Sequence, residues 1–305
     1  MENCILQTEN LGKKFTRNYA VNNISINIKE GSIYGLVGRN GAGKTTLMKL
    51  ITGLSTPTGG KITIMGKSGR AIGSVREKIG SLLEEPGLYE NLNAYDNLKA
   101  KALFLGKYND EYIKGILKKI GLENAGKKKA KKFSLGMKQR LGIGLALIGN
   151  PKLLILDEPI NGLDPQGVAE IRNTLININK EDGITILISS HILEELSKIA
   201  TVYGFIEKGK LVKELTADEL IRECREHVKL AVDNVELTKQ ILEKMQINDY
   251  QEISEGHMEL YGCEDKISMI NKELVMGGVL VSEIYASGID LESYYLNMIG
   301  GFENA

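Results

Sequence analysis

The sequence predicts an α/β chain: a parallel sheet covered by helices forms the core, and a smaller α+β unit follows it. Three observations carry this. Residues 33–37 read Ile-Tyr-Gly-Leu-Val, a buried-strand pattern that runs into a glycine-rich turn at 38–43 and then into an apolar stripe of Leu47, Leu50, Ile51 and Leu54 at helical spacing. Residues 153–156 and 184–188 are almost wholly apolar, as strands buried on both faces of a parallel sheet are. The third is a shift of charge near Thr216: residues 216–305 hold 7 Lys/Arg against 18 Asp/Glu, although the whole chain is neutral with 39 of each sign.

The 305 residues suffice for a large domain with an appendage, and 42% hydrophobic and 26% charged residues exclude a disordered or fibrous chain. Cys4, Cys224 and Cys263 are odd in number, far apart and form no CxxC, so neither a disulfide framework nor a zinc cluster is expected and a reducing cytosol fits. No basic segment followed by an apolar stretch opens the chain, so no secretory signal is expected. No span reaches the roughly 18–20 apolar residues of a membrane helix.

Along the chain, residues 24–28 alternate apolar and polar, as a strand does. The strand at 33–37, the glycine loop and the helix ending near Gly53, Pro57 and Gly59 come next. Residues 91–147 read as a helical insert, with apolar faces at Leu98, Ala102 and Leu105, at Ile113, Ile116, Leu117 and Ile120, and at 141–147. The strand at 153–156, a helix around 170–179 and the strand at 184–188 close the first part, residues 1–215. In the second part, residues 216–305, strands are expected at 228–232, near Ile253, at 258–260 and at 279–284. Helices are expected at 237–245 and 267–275, and the apolar residues of 291–299 should pack on the same unit's sheet.

The segment Gly38-Arg39-Asn40-Gly41-Ala42-Gly43-Lys44-Thr45 matches the phosphate-binding loop pattern between a strand and a helix. Its glycines let backbone N–H groups turn inward on a polyphosphate, and the helix N-terminus adds favourable partial charge. Lys44 then reaches the outer phosphates, and the Thr45 hydroxyl is placed to ligate Mg²⁺. The strand at 153–156 ends in Asp157 and Glu158 at the carboxyl edge of the sheet, facing the same crevice. Asp157 is the metal-side candidate and Glu158 the general base. Residues 133–140, Phe-Ser-Leu-Gly-Met-Lys-Gln-Arg, read alone as a serine N-cap before a helix.

Taken together and in this order, these segments resemble the ATP-binding subunit of an ATP-binding cassette (ABC) transporter. The resemblance covers residues 5–215. It implies a P-loop NTPase fold with a parallel-sheet core, an antiparallel β subdomain and a helical subdomain at about 91–147. The family's Leu-Ser-Gly-Gly-Gln-like signature corresponds to Ser134, Leu135, Gly136 and Met137, with Ser134 and Gly136 matching; Met137 and Lys138 replace the second glycine and the glutamine. Asp164 in Asn161-Gly162-Leu163-Asp164 falls at the D-loop, and His191 after Ser189-Ser190 at the switch histidine. Phe15, or Tyr19 in its place, aligns with the aromatic that stacks on adenine.

The resemblance implies ATP and Mg²⁺ as ligands. ATP would be held by Gly38 to Thr46, with Thr45 and Asp157 on the metal. Glu158 would act on water and His191 would contact the γ-phosphate. A second copy would stand head to tail, so that its Ser134 and Gly136 complete each site. The implied partner is a separate transmembrane permease, which places the chain in the cytoplasm on the inner face of the membrane.

Glu84 stands where most cassettes carry the Q-loop glutamine, with Glu85 one register away; a glutamate there would still reach Mg²⁺. That departure resembles bacitracin and lantibiotic-immunity exporters and implies an antimicrobial peptide as cargo. Cassettes that export other drugs or ions share much of the pattern. A soluble cassette ATPase acting on ribosomes or DNA is the alternative from another class; the single phosphate loop, the absence of a sustained heptad segment and the acidic tail argue against it and against any nucleic-acid partner. Glu158 and His191 argue against a purely regulatory subunit.

Overall fold

The computed structural model describes residues 4–224, 226–288 and 291–303. It divides into two compact units, 1–217 and 218–305.

In the first unit, strands β1 (Cys4–Phe15), β2 (Asn18–Ile24) and β3 (Asn27–Lys29) precede the buried β4 (Ile33–Val37) and helix α1 (Lys44–Thr52). Then follow β5 (Gly59–Ile64), β6 (Lys67–Ser68), β7 (Ile79–Leu82) and the helices α2 (Ala94–Phe104), α3 (Asp110–Lys119) and α4 (Leu135–Leu147). The unit ends with β8 (Leu153–Asp157), α5 (Pro165–Asp182), β9 (Thr185–Ser190), α6 (Leu193–Ser197), β10 (Val202–Glu207) and β11 (Lys210–Thr216). An antiparallel sheet runs β2-β1-β5-β6, with β3 also on β1, and the second sheet runs β11-β10-β4-β9-β8-β7. Every neighbouring pair from β10 to β7 is parallel; only the hairpin β10–β11 is antiparallel. All residues of β4, β8 and β9 are buried, which is why their sequences are continuous apolar runs rather than alternating ones.

The strand expected over 24–28 divides in two. The alternation is real, with Ile24, Ile26 and Ile28 all buried, yet the ladder breaks between β2 and β3. The reason is Thr8, a buried β1 residue: its hydroxyl donates to the Ile24 carbonyl at 2.9 Å and accepts the Ile26 N–H at 3.0 Å. A side chain here satisfies backbone groups that a ladder would otherwise pair. The helix expected around 170–179 extends from Pro165 to Asp182. Asp164 caps its start by accepting the Gly167 N–H at 3.1 Å, and Gly183, at φ +65°, ends it.

The second unit contains α7 (Ala217–Cys224), β12 (His227–Val232), α8 (Val235–Lys244), β13 (Tyr250–Ser254), β14 (His257–Tyr261), α9 (Ile267–Met276), β15 (Val281–Ser287) and α10 (Leu291–Glu303). Its antiparallel sheet has the order β13-β14-β12-β15. With the element order β-α-β-β-α-β from β12 to β15, this is a split βαβ arrangement of ferredoxin-like type. Val228, Leu230, Met258 and Leu260 of the sheet share a core with Ile241 and Leu242 of α8 and Ile270 and Leu274 of α9. On α10, Tyr294 and Tyr295 are buried, and the Tyr294 hydroxyl donates to Glu223 of α7 at 2.6 Å. The expected position of Ile299 on that helix lies outside the described side chains.

Gly80 of β7 shows how tightly the helical segment is seated on the sheet. A Cβ added there would stand 2.1 Å from the Ala146 carbonyl oxygen of α4. Gly80→Ala should therefore force strand and helix apart, costing about 1–3 kcal/mol and lowering the unfolding temperature of the first unit by about 2–12 °C. Calorimetry measures this directly, and an unchanged transition would contradict the packing described.

Candidate functional site

The glycine loop leaves the carboxyl end of β4 and turns into α1. Two of its glycines are required by the neighbouring chain. A Cβ at Gly38 would meet the Ile206 carbonyl oxygen at 2.6 Å, and one at Gly43, where φ is +109°, would meet the Ala20 carbonyl oxygen at 2.3 Å. Lys44 opens the helix and is only 4% exposed. Its ammonium donates to the carbonyls of Gly38 at 2.6 Å and Arg39 at 3.2 Å, folding the side chain back inside the loop. It also lies 3.1 Å from Glu158 Oε1.

Asp157 and Glu158 reach this loop because β8 and β4 flank β9 in one parallel sheet, with their carboxyl ends on the same edge. Asp157, which is buried, accepts from Thr45 through Oδ2 and from Ser189 through Oδ1, both at 2.6 Å. Ser189 is aligned opposite Asp157 across β8–β9, and its hydroxyl also accepts the Glu158 N–H at 2.9 Å. Glu158 sits at φ +49°, beyond the last strand residue, so its side chain leaves the sheet in a different direction from that of Asp157. His191 Nδ1 is 2.8 Å from Glu158 Oε2. The other oxygen, Oε1, is buried and has no hydrogen bond of good geometry among the described residues, although the Lys44 ammonium is near.

The structure thus gathers Gly38, Lys44, Thr45, Asp157, Glu158 and His191, together with Ser189, whose role the site residues read from the sequence did not include. A cleft of about 180 Å³ above the loop is lined by Ala20, Arg39, Asn40, Gly41, Gly43, Lys44, Thr45, Thr46 and Glu158. Ala42 is buried beneath the loop. Phe15 and Tyr19 are both exposed near the turn that joins β1 to β2, each with a lysine ammonium over its ring, Lys13 at 5.0 Å and Lys14 at 5.2 Å. They stand close in sequence to Ala20, which lines the cleft.

Other residues are not brought together with this cluster. Ser134 caps α4 by accepting the Met137 N–H at 3.3 Å, and neither it nor Leu135, Gly136 or Met137 lines the cleft. Asp164 is engaged as the cap of α5. Glu84 has left-handed backbone, φ +61°, and its carboxylate pairs with Lys49 at 2.5 Å rather than with Thr45 or Asp157. Glu85 lines a different groove.

A buried ammonium inside a glycine loop, a hydroxyl–carboxylate pair beside it and a glutamate held by a histidine are chemically suited to a polyphosphate and to a water acting on it. Residues 21–161 match the family model described as ABC transporter. The chain is 40% identical over 299 residues, 97% of each chain, to the bacitracin transport ATP-binding protein BcrA of Enterococcus faecalis. It is 49% identical over 216 residues to the lantibiotic transport ATP-binding protein SrtF of Streptococcus pyogenes, covering 70% of this chain and 92% of that one. Among solved structures it is similar to a dimeric ATP-binding cassette in a post-hydrolysis state bound to ADP and Pi. That likeness has a TM-score of 0.62 and 26% identity, and covers 70% of this chain and 98% of the other. Likeness of this strength over nearly the whole length shows that the chain belongs to the ABC transporter family, as one of its ATP-binding, ATP-hydrolysing subunits.

Proposed function

We propose that the chain powers a separate membrane permease that exports an antimicrobial peptide of the lantibiotic or bacitracin kind, and that Glu158 is the general base of its ATP hydrolysis. The observation that carries the chemistry is the connected set Lys44–Glu158–His191 beside Thr45–Asp157–Ser189. Lys44 and the loop N–H groups hold the outer phosphates. Glu158 orients a water for in-line attack through Oε1, the buried oxygen beside the Lys44 ammonium, and takes its proton. His191 fixes the carboxylate from the other side and is placed to meet the γ-phosphate.

The donor set also fits Mg²⁺. Thr45 and Asp157 supply hard oxygen donors that already meet at 2.6 Å, and no larger group of metal-binding side chains occurs among the described residues. Such a pair suits an ion whose remaining positions are filled by phosphate and water. When bound, Mg²⁺ would neutralise charge on the transferred phosphoryl group. Glu84, held by Lys49, is not part of that pair in the free chain.

Two features support a second copy in the working site. The cleft of about 180 Å³ is smaller than the roughly 300–1,000 Å³ of a complete small-molecule site. Ser134 and Gly136 stand outside it, available to a partner's nucleotide. A permease is supported by a separate groove of about 510 Å³ in the first unit, rimmed by the exposed apolar side chains Leu54, Tyr89 and Phe104. No described helix is long and apolar enough to cross a membrane, so the pathway would belong to the other subunit. The cargo reading is supported by the likeness to BcrA, a bacitracin transport ATP-binding protein, and to SrtF, a lantibiotic transport ATP-binding protein. Attachment to the inner membrane face, with no nucleic-acid partner, follows from the same reading.

Glu158→Gln should bind ATP with near-normal affinity while turnover falls by about 10²–10⁴-fold; near-normal hydrolysis would refute the base assignment. The tagged chain, isolated from membranes of its own cell in mild detergent, should bring down a polytopic permease, and loss of the chain should sensitise the cell to the exported peptide. Recovery only from the soluble fraction with ribosomes or DNA would overturn the transport reading.

A further inference from the structure

Asp157 and Glu158 are not the only acids at this edge of the sheet. Strand β7 runs parallel to β8 with Leu82 opposite Leu156, so Glu84 and Glu158 each lie two residues beyond a paired leucine on adjacent strands. Both turn in the left-handed region, at φ +61° and +49°, where a residue with a side chain is held only when its surroundings require it. Helix α1 answers both with a lysine. Lys44 is 3.1 Å from Glu158, and Lys49 is 2.5 Å from Glu84. Thr45, which donates to Asp157, is four residues before Lys49 and therefore on the same helix face. One face and end of α1 thus meets three acids from two strands.

The second pair has little to offer stability, because its side chains are 36% and 65% exposed and exposed pairs of this kind contribute little. Its charge matters more. An uncompensated carboxylate at the position of Glu84 would add a third anion to the edge that receives a triphosphate. We propose that Lys49 is a positioning residue of the nucleotide site: it holds Glu84 in place and cancels its charge, so that the lysine–glutamate pair presents a neutral group to the nucleotide. This rests on the nucleotide reading of the loop.

The test is a double-mutant cycle on the full chain, with binding of metal-free ATP measured in EDTA at low salt. Lys49→Ala should raise the dissociation constant about three- to tenfold, with the difference shrinking as salt is added. Lys49→Arg should restore it. Lys49→Ala should cost less in the Glu84→Gln background, where it removes a cation but frees no carboxylate, than in the parent chain, where it does both. With Mg²⁺ present, Lys49→Ala should raise KM while kcat stays within about twofold, and its unfolding temperature should match that of the parent chain. An equal loss from Lys49→Ala in both backgrounds, or failure of Lys49→Arg to rescue, would overturn the pairing while leaving ATP binding intact. A parent chain that does not bind ATP would remove the nucleotide site itself.

Discussion

The rest of the site depends on one buried cation. Lys44 is almost fully enclosed, and a lysine ammonium in that position is tolerated only where hydrogen bonds and an opposite charge replace its water. The Gly38 and Arg39 carbonyls supply the first and Glu158 the second. That requirement fixes the glycine loop, because the carbonyls must curl around the ammonium, and it fixes β8, whose carboxyl end must arrive beside the loop. Parallel pairing of β4, β9 and β8 meets both needs at once. The same arrangement leaves Glu158 between Lys44 and His191, so the contact that compensates the buried ammonium also sets the position of the carboxylate.

The chemistry that comes from contiguous residues was legible in the sequence: the glycine loop, the Asp157–Glu158 pair and the apolar strands that carry them need only local patterning to be read. What depends on strand neighbours was not. Ser189 looks like an ordinary polar residue at the end of an apolar run. It becomes the link between Asp157 and the Glu158 N–H only because β9 lies beside β8 in a register that sets it opposite Asp157. The pairing of Lys49 with Glu84 spans 35 residues and requires β7 to lie beside β8. The division of residues 24–28 was hidden for the same reason, since its cause is Thr8 on another strand. Ser134 was readable as a helix cap and acts as one in the free chain, whereas Asp164, implied by the resemblance as the D-loop residue, also turns out to be a cap.

The two units differ in what they contribute. The first contains the whole cluster around Lys44. The second has its own core and a split βαβ topology, and its strongly acidic sequence separates it chemically from the basic first unit. BcrA matches both units over 97% of the chain, whereas the match to SrtF covers 70% of this chain.

In the proposed arrangement one chain supplies only part of the hydrolytic site, with Lys44, Asp157 and Glu158 on one copy and Ser134 and Gly136 on the other. The most direct measurement is the rate of ATP hydrolysis per chain as the chain is diluted, at saturating ATP. A site shared between two copies predicts that the rate per chain falls on dilution and recovers on concentration. A rate per chain that stays constant through the range in which the protein becomes monomeric would show that a single copy completes its own site.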